Sequence, residues 1–227
     1  MITTTGWRRG ATVLAALAAV LLPSAVPAAA VATTPPASTV PARRELPEPP
    51  PVDVVRAELD GLTVQAPHSM DGYSREKFPH WIKISGECDT RETVLARDGE
   101  NVVQDELCRA VSGTWVSPYD DKTFTDAKAL DIDHVVPLAA AWRSGADGWT
   151  TTKRRAFAND LQHSQLIAVS AASNRSKGDK SPDSWRPPAI GYWCTYSRAW
   201  TDTKHVYGLS VTEPEKAALV EMLDTCA

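Results

Sequence analysis

The chain lacks an apolar run long enough to span a bilayer. A spanning helix needs roughly 20 apolar residues, and the run Ala11 to Leu22 stops short of that before Pro23. It lacks a His-Glu-x-x-His stretch, and none of its four cysteines stand at the close spacing of a zinc-ligand pair, which argues against zinc proteases and zinc fingers. It has no excess of positive charge: 24 Lys and Arg against 28 Asp and Glu give a formal −4. Charge alone therefore does not point to nucleic acid. No internal repeat is visible.

What is present begins with Trp7-Arg8-Arg9, the apolar run, and small residues at Ala28, Ala29 and Ala30. That order of charged, apolar and small segments predicts a signal peptide over residues 1–30 and export by the general secretory route; the arginine pair lacks the flanking residues of a twin-arginine signal. Residues 31–51 are rich in Pro, Ala and Thr and end in Pro47-Glu48-Pro49-Pro50-Pro51. Such a composition favours extended polyproline conformations and predicts a disordered tether. The folding unit is expected over residues 52–227. In an oxidising compartment four cysteines predict disulfides. Of the three possible pairings, Cys88–Cys108 with Cys194–Cys226 is expected, because each pair brackets one local block and leaves the middle of the chain free.

Loss of Arg8 and Arg9 with the signal peptide takes the charge to −6, yet Lys128 to Arg186 carries nine Lys and Arg against six Asp. The pattern of that segment is the most informative in the chain. Leu130-Asp131-Ile132-Asp133-His134 alternates as a half-buried strand does, and Pro137 ends it. Leu138 to Arg143 and Thr151 to Phe157 read as helices, Gln165 to Val169 as a second strand, and Ala171 to Lys177 as a short helix closed by Gly178. Before it, Val52 to Asp60 reads as a helix closed by Gly61. Thr93-Val94-Leu95-Ala96 and Asn101-Val102-Val103 suggest a hairpin turning at Asp98-Gly99. The block up to about Tyr119 reads as scaffold. Trp193 to Cys226 is expected to be mostly helical, with one start at Thr212-Glu213-Pro214-Glu215. Trp81, Trp115, Trp185 and Trp200 are assigned to packing, and Lys153, Arg154 and Arg155 to a solvated helix face or to phosphate tracking.

An Asp beside a His supplies what phosphodiester hydrolysis requires: an oxygen ligand for a divalent cation and a base titrating near neutrality. Successive strand residues point to opposite faces, so Asp133 and His134 share a direction only if the strand kinks after them, as Pro137 would allow. Asn174, followed by Arg175-Ser176-Lys177-Gly178-Asp179-Lys180, offers a neutral carbonyl oxygen among cations suited to phosphate.

Asp133-His134-Val135-Val136-Pro137-Leu138, Gln165-Leu166-Ile167-Ala168-Val169 and Asn174 to Pro182 together resemble the HNH motif. More narrowly, the chain resembles secreted bacterial HNH proteins related to the C-terminal domain of GmrSD-type restriction enzymes. The likeness extends from about Gly72-Tyr73-Ser74-Arg75 to Cys226 and includes Cys88-Asp89-Thr90-Arg91-Glu92 and Trp142-Arg143-Ser144-Gly145-Ala146. It implies an α+β fold: a ββα-metal finger over residues 130–182 inside a small, mostly helical, disulfide-containing domain. It implies His134 as general base, Asp133 and Asn174 as ligands of Mg²⁺ or Mn²⁺, and Arg175 and Lys177 as phosphate-binding residues. Gln165 stands where the family has an asparagine that orients the base through the backbone; Asn159 and His163 are nearby substitutes. Asp131 is expected either as a supporting carboxylate or extra ligand, or as an ordinary strand residue. The implied activity is cleavage of DNA, with RNA as a second substrate, with little sequence preference. The rival expectation is a secreted binding module with a degenerate site, favoured by Gln165.

Overall fold

The computed structural model describes residues 1–6, 10 and 47–226. Most of the expected signal peptide, and the tether up to residue 46, lie outside the described residues. Of two units, Met1–Val40 and Pro41–Ala227, the second carries every α-helix and strand described. In chain order these are α1 (Val52–Gly61), β1 (Lys83–Ser85), β2 (Cys88–Asp89), α2 (Thr90–Asp98), β3 (Glu100–Gln104), β4 (Ala110–Ser117), β5 (Lys122–Phe124), β6 (Leu130–His134), α3 (Leu138–Arg143), α4 (Thr151–Ala158), β7 (Leu166–Ser170), α5 (Ala171–Lys177), α6 (Trp193–Tyr207) and α7 (Glu213–Leu223). The strands form three small antiparallel sheets, β1-β2, β3-β4-β5 and β6-β7, so the fold is α+β. No described helix is long and apolar enough to cross a membrane. The disulfides are Cys88–Cys108 and Cys194–Cys226, as expected from the blocks they bracket.

Strand alternation divides the core. Leu130 and Ile132 of β6, with Leu166 and Ala168 of β7, join a cluster around Val94, Leu95 and Trp115. Ile167 and Val169 of β7 face the larger cluster built by α1, α3, α4, α6 and α7. All five residues of β7 are thus buried, which is why its sequence reads as a continuous apolar run rather than an alternating one. The start of α7 carries a reciprocal capping box: the Thr212 side chain accepts from the Glu215 N–H, and the Glu215 carboxylate accepts from the Thr212 N–H.

Two expectations are corrected. The hairpin proposed at Asp98-Gly99 is helix α2 followed by strand β3: the Asp89 carboxylate accepts from the Glu92 N–H and starts a helix where β-branched residues suggested a strand. The hairpin of this region is β3-β4, one element later. The second correction concerns the tether, whose last residues, 47–51, are docked. Pro49 is buried, Ser164 Oγ donates to the Pro47 carbonyl at 2.6 Å, and Arg198 donates to the Pro49 and Pro50 carbonyls and pairs with Glu48 at 2.9 Å. Prolines have no N–H with which to form a ladder, and here the half-buried Arg198 guanidinium supplies donors to their carbonyls. A chain beginning at Val52 should therefore be less stable than one beginning at Pro47 by about 1–3 kcal/mol. A melting temperature lower by roughly 2–12 °C would express this, and equal melting of the two chains would show that the docked prolines contribute nothing.

Candidate active site

Strands β6 and β7 pair in register from Leu130↔Ser170 to His134↔Leu166, and α5 follows β7 without a break. The Ser170 side chain caps α5 by accepting from the Ser173 N–H, and Gly178 closes it at φ +56°, a conformation that a Cβ would strain. Above this β-β-α unit lies a cleft of about 260 Å³ lined by residues including Asp133, His134, Asn174 and Arg175.

Asp133 and His134 diverge as alternation dictates, and no kink brings them together. Asp133 points to the face of β6 that carries α5. Its carboxylate accepts from the Tyr119 hydroxyl at 2.7 Å and lies 2.8 and 3.0 Å from the Lys177 ammonium. Burial pushes the Asp133 carboxyl above its ordinary range, and the Lys177 charge beside it offsets part of that. Burial likewise pushes the Lys177 ammonium down, against the pull of Asp133. Lys177 is fully buried and also donates to the His134 carbonyl at 2.9 Å. Its expected contact with substrate phosphate is therefore corrected: the ammonium is spent inside the protein.

His134 points to the opposite face, its ring 5.7 Å from that of Trp81. Its Nε2 donates to the Ala158 carbonyl at 3.0 Å, an acceptor that selects the Nε2–H tautomer and leaves the Nδ1 lone pair bare. Burial, with the nearby cation Arg75 as a lesser cause, lowers its pKa to about 3, so the ring is neutral at physiological pH, and the expectation of a group titrating near neutrality is corrected: burial weakens it as a proton acceptor.

Gln165 is fully buried and reaches the backbone just past the base. Its side-chain oxygen accepts from the Val136 N–H at 3.0 Å, its side-chain nitrogen donates to the Val136 carbonyl at 2.9 Å, and its own carbonyl accepts from the Val135 N–H at 2.8 Å. The longer arm spans the gap, so Gln165 fixes the backbone that follows His134. Asn159 holds a different segment: it donates to the Pro79 carbonyl at 2.7 Å and accepts from the Ile82 N–H at 3.1 Å. His163 pairs with Asp160 at 2.7 Å.

Asn174 donates from Nδ2 to Asp131 Oδ2 at 3.1 Å, which turns its oxygen away from Asp131 as a free acceptor. Asp131 thus orients Asn174, and Arg175 Nε lies 3.7 Å from the same Asp131 oxygen. Arg175 is 77% exposed in its side chain and remains a candidate phosphate ligand. Lys153 and Arg154 are engaged elsewhere, donating to the carbonyls of Tyr207 and of Lys77, Ala146 and Trp149 respectively.

Among the described residues no group of three or more His, Cys, Asp or Glu side chains forms a metal cluster. The oxygen-only pair Asp133 and Asn174, both on the cleft, nevertheless suits a hard cation that keeps much of its water, as Mg²⁺ does. Such an ion would share Asp133 with Lys177.

The first block is more than scaffold. Tyr119 holds Asp133, Trp81 covers His134, and Tyr73 and Arg75 line the cleft. Tyr73 and Arg75 stand in the Gly72-Tyr73-Ser74-Arg75 stretch where the resemblance begins, but no local pattern showed that they, Trp81 or Tyr119 meet β6.

Lys177→Ala should cost about 3–5 kcal/mol, because it strands a buried carboxylate, whereas Arg175→Ala should change stability by no more than about 0.5 kcal/mol; equal melting of the two variants would contradict the assignment of Lys177 to the interior. The His134 shift has its own sign. The unfolded chain binds this proton below pH 6.5 and the folded chain only near 3, so stability is complete above pH 6.5 and falls as pH drops below it, by about 1.4 kcal/mol per unit. Between pH 7.5 and 5.0 the protein should lose about 2 kcal/mol more than a His134→Asn variant; denaturant titration at both pH values reads the difference, and parallel losses would refute it.

Residues 89–222, more than half of the chain, match the family described as GmrSD restriction endonucleases, C-terminal domain. A protein of Arthroderma benhamiae described as an uncharacterized secreted protein is 59% identical over 177 residues, 78% of this chain and 87% of its own length. That relative is fungal, so the expectation of a specifically bacterial group has no support. No solved structure matches. The chain belongs to the family of the GmrSD restriction endonuclease C-terminal domain.

Proposed function

We propose that this protein is a secreted, divalent-cation-dependent HNH endonuclease that hydrolyses phosphodiester bonds of DNA, and of RNA as a second substrate, with little sequence preference. The observation that carries the reading is geometric: the β6-β7-α5 unit brings His134, whose Nε2 is fixed by the Ala158 carbonyl, to the lining of the same cleft as Asn174 and Arg175. The β6-β7-α5 unit is the ββα finger of this reading. Membership of a nuclease-related family and a relative described as secreted support it.

In the reaction, His134 Nδ1 takes a proton from a water molecule as the water oxygen bonds to phosphorus and the P–O bond to the leaving ester oxygen breaks. Gln165 holds the Val135–Val136 backbone and thereby the end of β6 on which the base sits. Arg175 supplies a guanidinium to non-bridging phosphate oxygens. Mg²⁺ or Mn²⁺ held by Asp133 and Asn174 would neutralise charge developing on the phosphate and the leaving oxygen. Because the cleft offers contacts to backbone phosphate, sequence enters little.

One observation favours a second reading, a secreted nucleic-acid-binding module: the Lys177 ammonium already neutralises Asp133. Gln165 no longer argues for it, since the side chain reaches Val136. The purified protein should nick supercoiled plasmid with Mg²⁺ or Mn²⁺, stop with chelator, and lose roughly 10²–10⁴-fold in rate as His134→Ala. Intact plasmid from a folded protein that still binds DNA would establish the binding module instead.

A further inference from the structure

We propose that Arg75, which lies outside the β-β-α unit and before the family-matched residues, is a ligand of the substrate phosphodiester and forms with Arg175 a two-sided guanidinium grip across the cleft. The inference rests on the nuclease reading for its chemistry, but its binding test is independent of turnover.

The charges on the cleft decide the kind of ligand. Of the two acids that line it, Asp179 is neutralised by Arg143, which donates to it at 2.6 Å, while Asp133 is neutralised by Lys177 at 2.8 Å. Arg75 and Arg175 remain. Arg75 is exposed and donates through Nε at 3.4 Å to a neutral acceptor, His80 Nε2; Arg175 stands 3.7 Å from Asp131. Two weakly committed guanidinium groups lining one cleft with internally compensated carboxylates suit an anion with several oxygens, and guanidinium geometry matches phosphate.

The segment that carries Arg75 is built to hold it in register with the base. Asn159 fastens residues 79–82 from both sides, at the Pro79 carbonyl and the Ile82 N–H. The residue before it, Ala158, supplies the carbonyl that fixes His134. Adjacent peptide units therefore position the base and the Arg75 segment together. His80 Nδ1 donates to the Phe78 carbonyl at 2.8 Å, which leaves Nε2 as the acceptor that steers Arg75. Trp81, whose ring lies against His134, sits at φ +57°, a left-handed conformation costly for an aromatic residue and common where function constrains the backbone.

The test is binding of a fluorescent DNA oligonucleotide, without added metal, to His134→Ala and to His134→Ala/Arg75→Ala, across a salt series, with Arg75→Lys in the same background. Loss of one charge-assisted phosphate contact should weaken binding roughly 10- to 100-fold, lower the slope of log K against log salt by about one, and be partly rescued by lysine. Thermal melts should be unchanged, because Arg75 is exposed. A binding change under twofold with an unchanged slope would overturn the role of Arg75. Plasmid nicking by the wild-type protein, measured beside it, reports separately on the nuclease reading: a wild type that binds through Arg75 but never cleaves would sink that reading and leave the grip standing.

Discussion

The site depends on one buried ion pair. Asp133 on β6 would be costly to bury alone, and Lys177 in the last turn of α5 answers it from the other side of the interface. Because Lys177 also donates to the His134 carbonyl, the same ammonium fixes the strand end and draws α5 onto it. Residues three apart share a helix face, so seating Lys177 on Asp133 brings Asn174 to β6 as well, where Asp131 turns its amide. Tyr119 completes the carboxylate from the block before β5. Two carboxylates on one strand face thus organise a helix, and the third polar residue of that strand, His134, is left for the opposite face.

That opposite face is arranged by neighbours in sequence with divergent tasks. Ala158 ends α4 with a carbonyl aimed at His134, and Asn159 holds residues 79–82, which place Trp81 against His134 and follow Arg75 on the cleft. Gln165 extends the pairing of β6 by one side chain where Pro137 forbids the strand to continue. Ala158, Asn159 and Gln165 act through position: each fixes backbone or ring next to the cleft.

The elements between Leu130 and Gly178 were legible because strand alternation, helix caps and a closing glycine all agree there, and the disulfide pairing followed from the blocks that the cysteines bracket. Helix α2 was not legible: Thr93, Val94 and Leu95 favour strands, and the cap at Asp89 outweighs them. Lys177 was misread because Arg175-Ser176-Lys177-Gly178-Asp179-Lys180 looks like a solvated basic stretch. The spacing of Asn174 and Lys177 held the signal, since two residues on one face of a short helix cannot point one to the strand and the other to solvent. Tyr119 and Trp81 reach the site only through long-range contacts, which no local pattern encodes, and Arg75, although it stands where the resemblance begins, gave no sign of lining the cleft. The docked prolines 47–51 belong to the same class, held by Arg198 some 150 residues away.

The central claim is that Asp133 and Asn174 form a cation site beside a neutral His134. Anomalous diffraction from crystals of the His134→Ala protein soaked in Mn²⁺ tests it most directly. The account predicts a peak between the Asp133 carboxylate and the Asn174 side-chain oxygen that disappears in an Asn174→Ala crystal. Mn²⁺ bound elsewhere, or a Lys177 ammonium that keeps Asp133 to itself at saturating metal, would contradict it.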